Sequence, residues 1–241
     1  MATPDQLSGM DDGEDRRHLV EVWLADIHAE RTEHRAWLDP VERRRRAGYA
    51  RAIDQSRFTV ATALLRAVAA RESGTPPEAV RIERRCRQCG EPHGKPQLVD
   101  IPVHVSVSHA GQRVAVAVTR AAPVGVDVEQ VRETDLALLA EAVLADDEPC
   151  TRLEEFFVYW CRKEAVVKAT GDGLRTPLRT VRVSAPHAPA RLLGYRGAPL
   201  RCALADLDVG AGYAGAVAVL AVGPLEVRVR DGGAALADAG G

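Results

Sequence analysis

Ala115-Val-Ala-Val118 returns as Ala216-Val-Ala-Val219, and Pro123 returns as Pro224, both at an offset of 101 residues. The same offset carries the segment 57–71 onto 158–172. In 57–71, Phe58, Ala61, Leu64, Leu65 and Val68 fall at helical spacing, with Asp54 ahead of them as an N-cap. The later segment reads as a helix around Trp160 and Val167. One offset that serves a strand, a turn and a helix predicts a duplicated α/β unit. The expected fold is therefore α+β, a pseudo-dimer of two similar α/β halves with a cleft between them. The halves are placed at 1–122 and 123–230, with a glycine- and alanine-rich tail over 231–241 expected to be disordered.

Working outward from the repeat, 103–108 and 113–119 alternate as strands, a short strand is expected near 80–83, and 90–96 reads as a loop. The chain has 241 residues, 46% hydrophobic and 27% charged, with a net charge of -2. That composition is ordinary for a globular protein and supplies no global attraction for nucleic acid or membrane. The Arg43 to Arg46 cluster has no interleaved aromatics, so nucleic-acid binding is not expected. No apolar run reaches the roughly 18 residues of a membrane span, and the polar, acidic N-terminus lacks a signal sequence. Five cysteines, an odd number, argue against a secreted disulfide framework, and the expectation is a cytoplasmic monomer.

Three lysines stand among 32 basic residues, namely Lys95, Lys163 and Lys168. Each lies in a segment that carries chemistry, where a compact ammonium differs from arginine's planar fork. Gly125-Val-Asp-Val-Glu129 reads as a strand with Val126 and Val128 in a core and Asp127 and Glu129 together on the other face. Paired carboxylates repel, and an oxygen-only donor set favours magnesium over zinc; a solvated strand face gives the same pattern. In the later helix, Trp160, Glu164 and Lys168 share a face in the most aromatic stretch of the chain. A third group is His93-Gly-Lys95-Pro96 with Val105-Ser-Val-Ser108-His109, which supplies close backbone approach, charge and hydroxyls for phosphate oxygens.

Taken in order, these fragments resemble the 4'-phosphopantetheinyl transferases of the surfactin-synthetase-activating, Sfp-like type. The matching elements are Gly-Lys-Pro at 94–96, Val-Ser-His at 107–109, Gly-Val-Asp-Val-Glu at 125–129 and Trp-x-x-Lys-Glu-Ala-x-x-Lys at 160–168. The resemblance implies transfer of phosphopantetheine from coenzyme A to a serine hydroxyl of a carrier protein, releasing adenosine 3',5'-bisphosphate. It further implies that Asp127, Glu129 and Glu164 hold magnesium and that Lys168 contacts phosphates. Lys95, Pro96, Ser108, His109 and Arg57 would hold the nucleotide end, and Arg44 is the member of the arginine cluster chosen for coenzyme contact. Glu164 and a metal-bound water both stand as general base. The carrier is acyl or peptidyl; arginine and alanine richness hints at a high-GC genome, where polyketide and nonribosomal-peptide carriers are frequent, but composition does not choose among fatty-acid, polyketide and nonribosomal-peptide carriers. The stretch around Leu136, Leu138, Leu139 and Leu144 reads either as core or as a docking surface for the carrier's helix.

Cys86-x-x-Cys89 with His93 has the look of a zinc knuckle, but a structural zinc takes four ligands. The nearest fourth candidates, His104 and His109, lie on a strand or are already assigned. Two other functions stay open on these residues: a magnesium-dependent coenzyme A or nucleotide enzyme without a protein acceptor, and a zinc-stabilised binding module for an acidic partner.

Overall fold

A computed structural model describes residues 17–86 and 89–240. The acidic N-terminal stretch, Arg17 apart, lies outside them. The strands in chain order are β1 (His18–Asp26), β2 (Ile82–Glu83), β3 (Gln97–Leu98), β4 (His104–Ala110), β5 (Arg113–Thr119), β6 (Val124–Gln130), β7 (Val181–Val183), β8 (Leu192–Tyr195), β9 (Ala203–Asp206), β10 (Tyr213–Val219) and β11 (Leu225–Asp231). The α-helices are α1 (Thr32–Trp37), α2 (Pro40–Ala47), α3 (Ala52–Ser73), α4 (Leu136–Val143), α5 (Leu153–Thr170) and α6 (Gly232–Asp238).

The valine-alanine strands build two sheets, one ordered β11-β1-β5-β4 and the other β6-β10-β9. Because every strand alternates, each sheet has two apolar faces to cover. Val20, Val22, Ala115 and Ala117 of the first sheet meet Val126, Val128, Val217 and Val219 of the second in one cluster. The outer face of the first sheet packs on α3 through Trp23, Val114 and Val116 against Leu64, Leu65 and Val68. The outer face of the second packs on α5 through Ala216 and Ala218 against Phe157, Ala165 and Val166. The α+β class is as expected. The layers run helix, sheet, sheet, helix, and α1, α2 and α6 cover the outer side of α3, so buried residues ring it from Phe58 to Ala69.

An offset of 101 residues carries the first residue of α3 onto the first residue of α5, and all of β6 onto all of β11. The two segments are nevertheless joined through one sheet. Strand β11 runs parallel to β1, with His18 opposite Leu225 and Leu24 opposite Asp231. Strand β11 therefore completes the sheet begun by β1, and a cut between 122 and 123 takes an edge strand from the first sheet while leaving β6, β10 and β9 of the second together.

Three local expectations are corrected. Helix α3 begins at Ala52 with Arg51 in the N-cap position, and Asp54 sits in the first turn, paired with Arg51 and Arg57. The strand expected over 80–83 is confined to Ile82 and Glu83. Within the tail expected to be disordered, α6 forms. Asp231 caps it by accepting from Ala234 N–H at 3.0 Å, and Leu236, 1% exposed, enters the α3 cluster. Small neighbours let one leucine seat a short helix, and a single leucine among glycines and alanines gives no periodicity to read. Among the described residues, no helix is long and apolar enough to cross a membrane.

Leu236→Ala is expected to destabilise the fold by about 2–4 kcal/mol, the usual cost of truncating a buried leucine. Urea unfolding reads this directly; a change under about 0.5 kcal/mol would mean that α6 contributes nothing to the core.

Candidate active site

The site lies where β4, β6 and α5 meet. Strands β4 and β6 belong to different sheets, and serine hydroxyls join them: Ser106 Oγ accepts from Val126 N–H at 3.0 Å and Ser108 Oγ from Val128 N–H at 3.3 Å. The alternating Val-Ser-Val-Ser of β4 thus does with side chains what a ladder does with backbone. On the opposite side of β6, Gly125 lets α5 sit directly on the strand. A Cβ at this position would fall 1.9 Å from Ala165 O and 2.4 Å from Ala169 N. No other residue fits there, and the close approach sets the distance from the α5 side chains to Asp127 and Glu129.

What forms is a buried polar knot. Lys168 Nζ donates to Asp127 Oδ1 at 2.6 Å and to Ser108 Oγ at 2.8 Å, while the Ser108 hydroxyl donates to the same Asp127 oxygen at 2.8 Å. Asp127 is 3% exposed, and its other oxygen, Oδ2, is buried without a hydrogen-bond partner. A buried carboxylate oxygen left unpaired is costly, which marks a place for a positively charged or donor group. The knot opens into a cleft of about 370 Å³, and Glu129, Trp160, Glu164 and Lys168 line it beside Asp127. The helix face read from the 160, 164, 168 spacing does point into this cleft.

The carboxyls feel each other. Burial, and then the Asp127 charge, push the Glu129 carboxyl up to about 7. The same two causes, in the same order, raise Glu164. His109 stands at the cleft mouth, open to solvent at its edge; desolvation by its packing and the cations of Lys168 and Arg57 lower its pKa. Three carboxyls thus face one ammonium, and both raised shifts come first from burial and second from the neighbouring negative charge. A hard dication with oxygen ligands would relieve it, so the donor set fits magnesium. The three carboxylates are spaced more widely than the tightest trio of potential ligand atoms among the described residues. That trio is Cys86, Cys89 and His93, whose ligand atoms lie within 4.8 Å of one another.

The other expected residues divide. Lys95 Nζ donates to Val124 O at 2.7 Å and Ala169 O at 3.1 Å, bridging the start of β6 to the end of α5. With Pro96 it lines an adjoining cavity of about 490 Å³, and Lys168 and Arg84 are common to both spaces. Arg57 lies apart from the cleft lining: its guanidinium donates to Gly111 O at 3.0 and 2.8 Å and so holds the β4–β5 turn. Arg44 is exposed on α2, and it is Arg45 that lines the cleft, over the Phe58 ring at 5.5 Å. The helical period held the signal. Buried Glu42 sets the inward face of α2, and Arg45, one turn on, shares it. Arg84 was missed as well; its Nε is buried without a partner. Lys163 is fully buried away from the cleft, where it pairs with Glu148 and donates to Val143 O at 2.8 Å.

Comparison with known proteins enters on this geometry. Residues 123–218, which hold β6, α5 and β10, match the 4'-phosphopantetheinyl transferase superfamily. The chain is 34% identical over 130 residues to 4'-phosphopantetheinyl transferase psf-1 of Bacillus pumilus, covering 51% of this chain and 53% of that protein. To 4'-phosphopantetheinyl transferase gsp of Aneurinibacillus migulanus it is 31% identical over 96 residues, 36% of this chain and 39% of that one. To Sfp of Bacillus subtilis strain 168 it is 25% identical over 152 residues, 59% and 64% of the two chains. The alignments span about half the length of these relatives. The resemblance read from the motifs to the Sfp-like type is borne out.

The raised Glu129 has a thermodynamic consequence in metal-free protein. The folded state keeps that proton up to about pH 7, while the unfolded chain releases it near the ordinary 4.5. Across that interval the unfolded state binds fewer protons, so stability falls as pH rises. Wild type minus Glu129→Gln, measured by denaturant titration in chelator, is expected to lose on the order of 2 kcal/mol between those pH values. A flat difference would show that Glu129 ionises normally.

Proposed function

We propose that this chain, a relative of the Sfp-like 4'-phosphopantetheinyl transferases, moves the 4'-phosphopantetheine group of coenzyme A to a serine hydroxyl of an apo carrier protein, with magnesium, releasing adenosine 3',5'-bisphosphate. The observation that carries the reading is the knot of Asp127, Ser108 and Lys168, open to a cleft that Glu129 and Glu164 share. Phosphoryl transfer asks a protein for charge neutralisation and for in-line placement of the nucleophile, and this cleft offers both kinds of group.

Asp127, Glu129 and Glu164 would hold magnesium, which supplies the positive charge that a pyrophosphate leaving group requires. The unpartnered Asp127 Oδ2 is the ready ligand atom. Lys168 keeps its ammonium between Asp127 and Ser108, one side toward the cleft, where it can meet phosphate as a point charge. Ser108 fixes that ammonium. Burial and Asp127 raise Glu164 in the metal-free protein; bound magnesium would draw that shift back down, so Glu164 would take the proton from the carrier's serine only where it is not a full ligand of the ion.

For the nucleotide end, Lys95, Pro96, Ser108 and His109 stand along the two joined cavities. Arg57 would contribute by holding the turn beside His109, and Arg45 is better placed than Arg44 to reach coenzyme phosphates. The carrier would dock along α4, where Leu138 is 66% exposed.

The test is incubation of the chain with coenzyme A, magnesium and apo acyl or peptidyl carrier protein, followed by intact-mass measurement of the carrier. Mass gain of one phosphopantetheine group is expected. Asp127→Ala and Glu164→Ala should each lower the rate at least about 100-fold, with unfolding midpoints near wild type. Carriers that stay unmodified across several types, or near-normal rates in both variants, would overturn the assignment.

A further inference from the structure

The loop between β2 and β3 holds a constellation that the transfer reading leaves unused. Its flanking strands are two residues each, paired at Ile82 with Leu98 and Glu83 with Gln97. Such a ladder is too short to order a long loop. Within the loop the chain folds back on itself: Gly90 N–H donates to Cys86 O at 3.0 Å and Cys86 N–H to Glu91 O at 2.8 Å. Gly90 takes φ +78°, a left-handed conformation that favours glycine. The turn brings Cys86, Cys89 and His93 together with all ligand atoms within 4.8 Å, and Cys89 Sγ lies 3.0 Å from His93 Nε2. His104 and His109, the sequence candidates for a fourth ligand, lie on β4 and are not in this group.

Two thiolates and an imidazole at this spacing suit zinc, which prefers sulfur and nitrogen in a tetrahedron; with Cys89 and His93 exposed, the fourth position falls to solvent, the coordination of an open site rather than of a closed four-ligand one. Magnesium, bound by oxygen, would not compete here. The ends of the loop matter as much as its middle. Gly94 N–H donates to Arg84 O at 2.6 Å, so the loop closes where Arg84 and Lys95 enter the cavity they both line.

We infer that Cys86, Cys89 and His93 bind one zinc ion, and that this ion staples the 84–95 loop so that Arg84 and Lys95 are held at the cavity wall. Binding displaces all but one of the ion's waters and releases one proton from each of the two thiols to solvent, with no change of oxidation state. The metal site stands apart from the proposed reaction; the positioning of Arg84 and Lys95 rests on it.

The full chain, purified reduced and without chelator, should carry one equivalent of zinc by elemental analysis. Replacement by cobalt should give thiolate-to-cobalt charge-transfer absorption and the visible bands of a tetrahedral ion. Cys86→Ser and Cys89→Ser should each lose zinc and those bands, and His93→Cys should keep both. The positioning half predicts that Cys89→Ser raises KM for coenzyme A several-fold with kcat little changed. A zinc-free reduced chain whose cobalt form lacks thiolate bands would overturn the metal site, as would zinc retained in both serine variants. A mass two hydrogens low, from a Cys86–Cys89 disulfide in the chain as isolated, would overturn it too. Bound zinc with KM unchanged in Cys89→Ser would sink the positioning alone.

Discussion

The contact at Gly125 governs what the rest of the molecule can do. With only a hydrogen where another residue would carry a Cβ, the backbone of α5 rests on β6, and Glu164 and Lys168 descend to the level of Asp127. The polar knot depends on that depth. A side chain at 125 would push α5 off the strand and weaken the Lys168 contact to Asp127, and a buried carboxylate that loses its cation is strongly destabilising. Packing and chemistry are therefore one constraint here.

The repeat made the fold class legible, because valine-alanine strands and two helices at a common offset leave little choice of architecture. The cleft was legible for a similar reason. Period 2 placed Asp127 beside Glu129, and period 3.6 placed Trp160, Glu164 and Lys168 on one stripe. What stayed hidden was whatever depends on long-range pairing. No local pattern says that β11 lies beside β1, or that a serine on β4 hydrogen-bonds a backbone N–H of β6. Arg44 was chosen over Arg45 because a run of four arginines looks uniform until the buried Glu42 orients the helix.

The three lysines turned out to do three different jobs. Lys168 meets the carboxylates, Lys95 ties the ends of β6 and α5 together, and Lys163 is a core ion-pair partner far from solvent. Rarity of a residue type directed attention to the right segments without distinguishing these roles. The distinction comes from burial: a fully buried ammonium with a carboxylate and carbonyl partners is satisfied, whereas one at the floor of an open cleft retains capacity for a ligand.

The pairing of β1 with β11 gives the chain an unusual order of assembly. One edge of β1 takes its hydrogen bonds from residues some two hundred positions later, so in a growing chain that edge stays bare long after β5 has paired with the other. Loop closure over that span slows the search for the native register. The second sheet waits almost as long, because β10, which joins β6 to β9, ends only at Val219, so the β4-β5-β1 part of the first sheet is the surface already present when the second one closes on it.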